Sequence, residues 1–266
     1  MRASQTLLAL STGAALASSS CFAVTDLDRF DKRGQSVSNF TDLRLTVRGM
    51  TSHVNELFEY RVVDATNTIQ SRGFIVPLGG VEASVFVPGA IPRQNGPFRL
   101  DFYSDHDLSG AYDTSPGARG DHSWRVALDP AATDDQGAVN VVFDHNTSFT
   151  YLNEPGGPPS EVGKPATVRM TKMGLFLGRR VQVRVADASS RRVVALYRIP
   201  ALGGPDVAVS VPGMIEPGVI YAVEVTVDGG NQPPRAFRVE QTSNQAGLDV
   251  AFDPTASAEV NDAPPP

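Results

Sequence analysis

The sequence predicts an all-β protein made of two tandem β-sandwich domains. Short runs of residues alternate apolar and polar side chains with a period of two, which is typical of strands with one buried face. Glycine and proline are frequent, with 24 and 20 of 266 residues, as expected where many turns join short strands. The second half of the chain also repeats the first, so we expect both halves to share one fold.

The first repeat, residues 42–146, contains seven strand candidates, which we name A to G. Alternate positions in them are apolar, as with Leu43, Leu45 and Val47 in strand A, so each strand is expected to turn one face to a core. The seven candidates span residues 42–48, 57–64, 69–76, 82–87, 97–104, 123–128 and 138–143.

The second repeat, residues 166–253, keeps the same pattern. LFEYRVVD in the first repeat corresponds to RRVQVRVAD in the second, and VFVPGAI corresponds to VSVPGMI. The apolar phase is also kept, because Trp124 corresponds to Phe237 and Phe143 to Phe252. Its seven strand candidates lie near residues 167–172, 181–187, 192–199, 206–211, 219–227, 235–240 and 247–252.

Seven short strands in each repeat resemble, in pattern, the immunoglobulin and fibronectin type III sandwiches. The resemblance covers both repeats and implies two sheets packed face to face. The Cys…Trp…Cys signature of true immunoglobulin domains is absent, since Trp124 falls on strand F and Cys21 is the one cysteine of the chain. The sequence therefore indicates tandem immunoglobulin-like domains but no specific family.

The segments outside the repeats predict an exported protein. Residues 1–23 read as a secretory signal, with Arg2, an apolar run over 7–17, and cleavage after Cys21-Phe22-Ala23. The alternative is a lipoprotein acylated at Cys21, but Ser18 stands where such a signal needs an apolar residue. We expect residues 24–41 to form an N-terminal arm, 147–165 a linker rich in glycine and proline, and 254–266 a disordered tail.

Charge and hydropathy narrow the range of partners. The chain carries a net charge of −6, which argues against nucleic acid and anionic membrane surfaces as partners. The apolar run of the signal is too short to span a bilayer, and no other segment is apolar enough to do so. A metal ion and another cell-envelope protein are the partners that we expect, in the periplasm or outside the cell.

All four histidines fall in the first repeat, on loops that an up-and-down order of strands brings to one end of the sandwich. His53 lies in the A–B loop, His106 and His122 in the E–F loop, and His145 at the exit from strand G. The second repeat has none of them, and its E–F loop is ten residues shorter. The residues that correspond to His53, His122 and His145 are Phe176, Arg235 and Pro254.

Strand phase predicts that His122 and His145 approach each other. If strands F and G pair with Trp124 facing Phe143, His122 lies directly opposite His145, and opposed residues have Cβ atoms about 4.5–5.5 Å apart. Together with His53 they would suit Zn²⁺, Cu²⁺ or Ni²⁺. Asp121 or Asp144 would serve as a further ligand or as a hydrogen-bond acceptor for a ligand, and His106 is expected to be a solvated loop residue. The alternative is that these histidines only cap strands and loops.

A second candidate site is acidic. The run Asp105-x-Asp107-x-Ser109-Gly110-x-x-Asp113 places oxygen atoms at alternate positions before a glycine turn, which suits a hard cation such as Ca²⁺. It resembles the calcium loops of EF-hands, of dockerins and of secreted bacterial B-type repeats, which implies a Ca²⁺ site. It departs from the EF-hand at Ser109, and at Pro116 where a bidentate glutamate is expected. The alternative is a solvated loop held by Asx turns.

Recognised catalytic arrangements are absent from the sequence, which has no Gly-x-Ser-x-Gly and no glycine-rich phosphate loop. Three hypotheses follow. The first is a non-enzymatic exported protein whose first domain binds a metal ion. The second is a structural or adhesive module of the cell envelope, without a functional metal or with Ca²⁺ that only stiffens the loop. The third is a copper- or zinc-dependent enzyme that uses an open position on the three histidines.

Overall fold

The computed structural model describes residues 39–112, 120–145 and 159–261, and within them it is almost entirely β. The strands are β1 (Phe40–Arg48), β2 (Phe58–Val63), β3 (Ile69–Ile75), β4 (Ala83–Pro92), β5 (Phe98–Ser104), β6 (His122–Leu128), β7 (Ala138–Asp144), β8 (Lys164–Met170), β9 (Val181–Asp187), β10 (Val193–Ile199), β11 (Val207–Ile215), β12 (Ile220–Val227), β13 (Arg235–Thr242), β14 (Leu248–Phe252) and β15 (Glu259–Val260). Two 3₁₀ turns, Thr51–His53 and Met173–Phe176, precede β2 and β9. None of the helical segments in these ranges has the length and apolar character that crossing a membrane would require.

Each repeat forms the predicted seven-stranded sandwich, which confirms the fold class. In repeat 1, here β1–β7, the sheet β4-β1-β7 packs against β3-β2-β5-β6. In repeat 2, here β8–β14, the sheet β11-β8-β14 packs against β10-β9-β12-β13. The alternating apolar residues face inward as the period-two pattern requires, so that Leu45, Phe58 and Trp124 are at most 1% exposed.

The segment that follows β14 is not a disordered tail as far as residue 261. Glu259 and Val260 form β15, which pairs antiparallel with Phe237 and Ala236 of β13. The side chain of Glu259 also forms an ion pair with Arg235. The prediction of a disordered tail from residue 254 is therefore wrong for the described part of this segment, because β13 offers a free edge that the chain returns to cover.

The two repeats share one continuous sheet. β10 of repeat 2 pairs parallel with β3 of repeat 1, which joins the two four-stranded sheets into a nine-stranded sheet that ends with β15. Successive strand residues point to opposite faces, and Ala195 and Leu196 accordingly belong to different cores, that of repeat 2 and that of repeat 1. The two cores thus lie on opposite faces of the shared sheet.

Strand order corrects one prediction about the site. In immunoglobulin constant domains strand F neighbours strands C and G, whereas here β6 pairs with β5, and β7 pairs in parallel with β1. The assumed pairing of strands F and G is therefore wrong. β6 and β7 face each other from opposite sheets, with the rings of Trp124 and Phe143 5.2 Å apart across the core. His122 and His145 still reach one end, because each continues the inward stripe of its own strand.

Candidate metal centre

Three separate elements carry His53, His122 and His145 to one end of repeat 1. His53 closes the 3₁₀ turn Thr51–His53, where its backbone N–H donates to the carbonyl of Met50. His122 is the first residue of β6 and pairs with Ser104 of β5. His145 follows β7, and its N–H donates to the carbonyl of Arg48, so it extends the β1–β7 ladder by one bond.

The ring nitrogens of these three residues converge. Nε2 of His53 lies 3.2 Å from Nε2 of His145 and 3.2 Å from Nδ1 of His122. Two nitrogens bound to one tetrahedral zinc at about 2.0–2.1 Å lie about 3.3 Å apart. The two separations from His53 are therefore close to those of a metal-bound pair, and the nitrogens of His122 and His145 lie within 4.8 Å of each other.

Glu56 fixes which nitrogen of His53 faces the other two rings. Oε2 of Glu56 lies 2.7 Å from Nδ1 of His53, and Oε1 lies 2.8 Å from Nδ1 of His106. Burial opposes ionisation of Glu56, but the donors around it, His53 and His106 among them, outweigh burial and lower the pKa of this carboxyl group. An ionised carboxylate only accepts hydrogen bonds, so Nδ1 of His53 donates, and Nε2 carries the lone pair that faces His122 and His145.

His106 is an exposed loop residue, as predicted, but its contacts tie it to the histidine cluster. Its ring stacks on His122 with centroids 4.7 Å apart and planes 14° apart, and it shares Glu56 with His53. The sequence pattern did not single out Glu56. The available signal was its position three residues after His53 in the same loop, where the corresponding residue of repeat 2 is Arg179.

Trp124 forms the apolar floor beneath the histidines. Its ring meets those of His53 and His145 edge to face, with centroids 5.5 and 5.6 Å away, and that of His122 at 6.4 Å. Burial, reinforced by the neighbouring imidazoles, lowers the pKa of His122. The environment therefore favours neutral imidazole, the form that can bind a metal.

Neither aspartate expected beside the histidines belongs to the group of converging ligand atoms. Among the described residues, the ligand atoms that converge with those of His122 and His145 belong to His53. Asp144 lies beside Arg48 in the β1–β7 register. Asp121 instead accepts a hydrogen bond from the backbone N–H of His106 and lies with Asp105 and Asp107 in a separate acidic group.

That acidic group is built from the predicted calcium loop, with different members. Oxygens of Asp105, Asp107 and Asp121 lie within 4.8 Å of one another. Burial, opposed by backbone N–H groups and reinforced by Asp107, raises the pKa of Asp105. The hydroxyl of Ser109 donates to the carbonyl of Ala111, and its N–H donates to Asp105 and Asp107, so these hydrogen bonds hold Ser109 within the loop. Asp113 lies outside the described residues.

Comparison with known proteins does not identify a family. No protein-family model matches the chain. No curated protein matches it either. Three solved structures share some likeness: a proposed cell adhesion protein from Parabacteroides distasonis (11% identity, 85% of this chain and 93% of that chain, TM-score 0.22), a variant of the shaft pilin SpaA from Lactobacillus rhamnosus GG (10%, 81% and 98%, 0.24), and the tip fimbrial protein Mfa3 from Porphyromonas gingivalis (11%, 75% and 81%, 0.25). Likenesses this weak carry no functional argument.

Proposed function

We propose that repeat 1 binds one transition-metal ion, Cu²⁺ or Zn²⁺, through Nε2 of His53, Nδ1 of His122 and Nε2 of His145. The observation that carries this is the pair of 3.2 Å separations between ring nitrogens. Three imidazoles are a donor set that both ions accept, and they leave a position for water or another ligand. Glu56 orients His53 as carboxylates orient metal-bound histidines in known sites.

The protein has a non-enzymatic role in this proposal, such as metal binding or carriage. Three histidines with an open position would hold an ion and exchange it with a partner that offers a further ligand.

Elemental analysis of the purified full chain, stripped with a chelator and reloaded, tests the proposal. We expect at least one copper or zinc ion per chain, and one ion fewer in His145→Ala. Asp144→Asn is the matched control, because this neighbour lies outside the converging group. Saturation at about one hundred times Kd would add about 2.7 kcal/mol to the free energy of unfolding. Equal metal contents of the wild type and His145→Ala would refute the proposal.

A structural role with Ca²⁺ is the second candidate, favoured by the three clustered carboxylates at Asp105, Asp107 and Asp121. In this proposal Ca²⁺ stiffens the long loop of a structural or adhesive module and has no further function. The midpoint of thermal unfolding should then rise with added Ca²⁺ and fail to rise in Asp107→Asn. Asp107 is exposed, so this substitution leaves the core intact. An unchanged midpoint of the wild type in millimolar Ca²⁺ would exclude this candidate.

We also propose that the protein acts after export, in the periplasm or outside the cell, with another cell-envelope protein as a further partner. This rests on the signal-like residues 1–23, which lie outside the described part of the chain. Mass spectrometry of the protein recovered from fractionated cells tests it. A mature chain that begins at residue 24 in an exported fraction is expected, and an uncleaved chain confined to the cytoplasm would contradict it.

A further inference from the structure

A second group of ligand atoms adjoins the three-histidine site and shares one residue with it. His53, Glu56 and His106 offer ligand atoms that all lie within 4.8 Å of one another. Glu56 divides its two oxygens, one 2.7 Å from Nδ1 of His53 and the other 2.8 Å from Nδ1 of His106. Two imidazoles and a glutamate form a donor set that is established for zinc.

The two groups meet on opposite nitrogens of the same ring. Nε2 of His53 faces His122 and His145, whereas Nδ1 faces Glu56. A neutral imidazole has one lone pair, but the ring gains a second when its remaining proton leaves. One metal ion on each side would then be joined through His53.

Access differs between the two sides. The side chain of His53 is fully buried, and that of Glu56 is 10% exposed, whereas that of His106 is 37% exposed. Among the described residues of this group, His106 is therefore the most accessible to solvent. Repeat 2 has no counterpart to this group, because Phe176 and Arg179 stand where His53 and Glu56 stand in repeat 1.

We infer that repeat 1 holds a second transition-metal ion on Glu56, His106 and Nδ1 of His53, and that the His53 ring bridges the two ions. This rests on the proposed function, because the bridge requires an ion on Nε2. Binding of the second ion forms a bond to Nδ1 of His53 and releases the proton of that nitrogen to solvent. The carboxylate and the deprotonated ring together offset two of the four positive charges of the ion pair.

Copper titration of the stripped full chain, followed by elemental analysis and electron paramagnetic resonance, tests the inference. We expect two Cu²⁺ per chain and a spin signal well below the copper content, because a deprotonated imidazole bridge couples two Cu²⁺ spins antiferromagnetically. The exposed His106→Ala variant should bind one Cu²⁺ with its full spin signal. Fluorescence of Trp124 checks that this variant is folded.

The possible outcomes separate the two proposals. One Cu²⁺ per wild-type chain with a full spin signal, unchanged in His106→Ala, would overturn the inferred second ion and the His53 bridge. The three-histidine site would remain, and Glu56 would only orient the rings of His53 and His106. Two Cu²⁺ with a full spin signal would overturn the bridge, because the ions would not share His53. Absence of bound copper at any concentration would overturn both proposals.

Discussion

In repeat 1 the end of the sandwich above Trp124 holds four imidazoles and a buried carboxylate, whereas the corresponding end of repeat 2 is closed by an aromatic pair and a guanidinium. Phe176 and Phe237 lie 6.5 Å apart there, and Arg235 lies over both rings, at 5.5 and 5.1 Å from their centroids. The two backbones are alike, since both ends are entered through a 3₁₀ turn and both sheets have the same strand order. The scaffold therefore does not require the histidines, and their clustering calls for another explanation.

Giving repeat 1 the residues of repeat 2 at this end should abolish metal binding. The double variant His53→Phe and His122→Arg gives repeat 1 the residues of repeat 2, and we expect it to fold and to lose metal binding entirely. The stabilisation by metal, about 2.7 kcal/mol at one hundred times Kd, should disappear with it. Thermal unfolding with and without Zn²⁺ measures this loss.

The reverse exchange serves as the control. Phe176→His and Arg235→His in repeat 2 should gain no binding, because Arg179 and Pro254 stand where Glu56 and His145 stand in repeat 1. If metal still stabilises the first double variant, the ion binds elsewhere, and the difference between the two ends does not determine metal binding.

The shared sheet predicts that the two repeats unfold together. Phe252 fills the core of repeat 2, and its truncation to alanine should cost about 3–5 kcal/mol. Trp124 is the one tryptophan of the chain and lies in repeat 1. Because β3 and β10 pair directly, Phe252→Ala should lower the urea midpoint reported by the fluorescence of Trp124.

Phe143→Ala, which truncates the equivalent ring of repeat 1, is the matched control and should shift the same transition by a similar amount. Two separate transitions, with the Trp124 signal unaffected by Phe252→Ala, would show that the nine-stranded sheet does not couple the repeats.

Outside the histidine cluster the repeats also differ in how they neutralise buried arginines. In repeat 1, Glu59 is fully buried and forms ion pairs with Arg61 and Arg72, at 2.6 and 2.5 Å. In repeat 2, Gln182 takes the place of Glu59, and burial lowers the pKa of Arg198 to about 10. Repeat 2 thus has a neutral glutamine beside a buried arginine, where repeat 1 has the carboxylate of Glu59.

Glu59→Gln imposes the arrangement of repeat 2 on repeat 1. We expect it to lower the free energy of unfolding by about 3 kcal/mol, because it removes the carboxylate that pairs with buried Arg61 and leaves Arg72 with only the exposed Glu161. Urea denaturation measures the change. Asp249→Asn, which removes an exposed partner of Arg169, should leave the midpoint almost unchanged. Equal effects of the two substitutions would contradict the role given to Glu59.

The sequence predicted the strands, the duplication and the end at which the histidines meet, because these depend on local periodicity and on loop order. It did not predict that β6 and β7 lie in different sheets, because strand pairing is a non-local choice that the period-two pattern does not encode. Glu56, and its hydrogen bond to His106, were missed for a related reason: they depend on the path of two loops, which places both Glu56 oxygens against imidazoles. The sequence also gave no sign that β3 and β10 would pair.

The pH dependence of stability in the metal-free protein should also differ between the two ends, by a smaller amount. The pKa of His122 is lowered in the folded state by burial and by neighbouring imidazoles. The unfolded chain, in which histidine titrates near pH 6.5, then binds more protons than the folded chain, so the free energy of unfolding falls as the pH drops below about 6.5. His122→Asn should flatten this slope between pH 7.5 and 5.5, where carboxylates such as Glu56 do not yet titrate. The corresponding residue of repeat 2, Arg235, stays charged throughout and contributes nothing to the slope. Urea midpoints of the two proteins across this range decide the point, since identical slopes would mean that the histidine cluster does not favour the neutral imidazole needed to bind a metal.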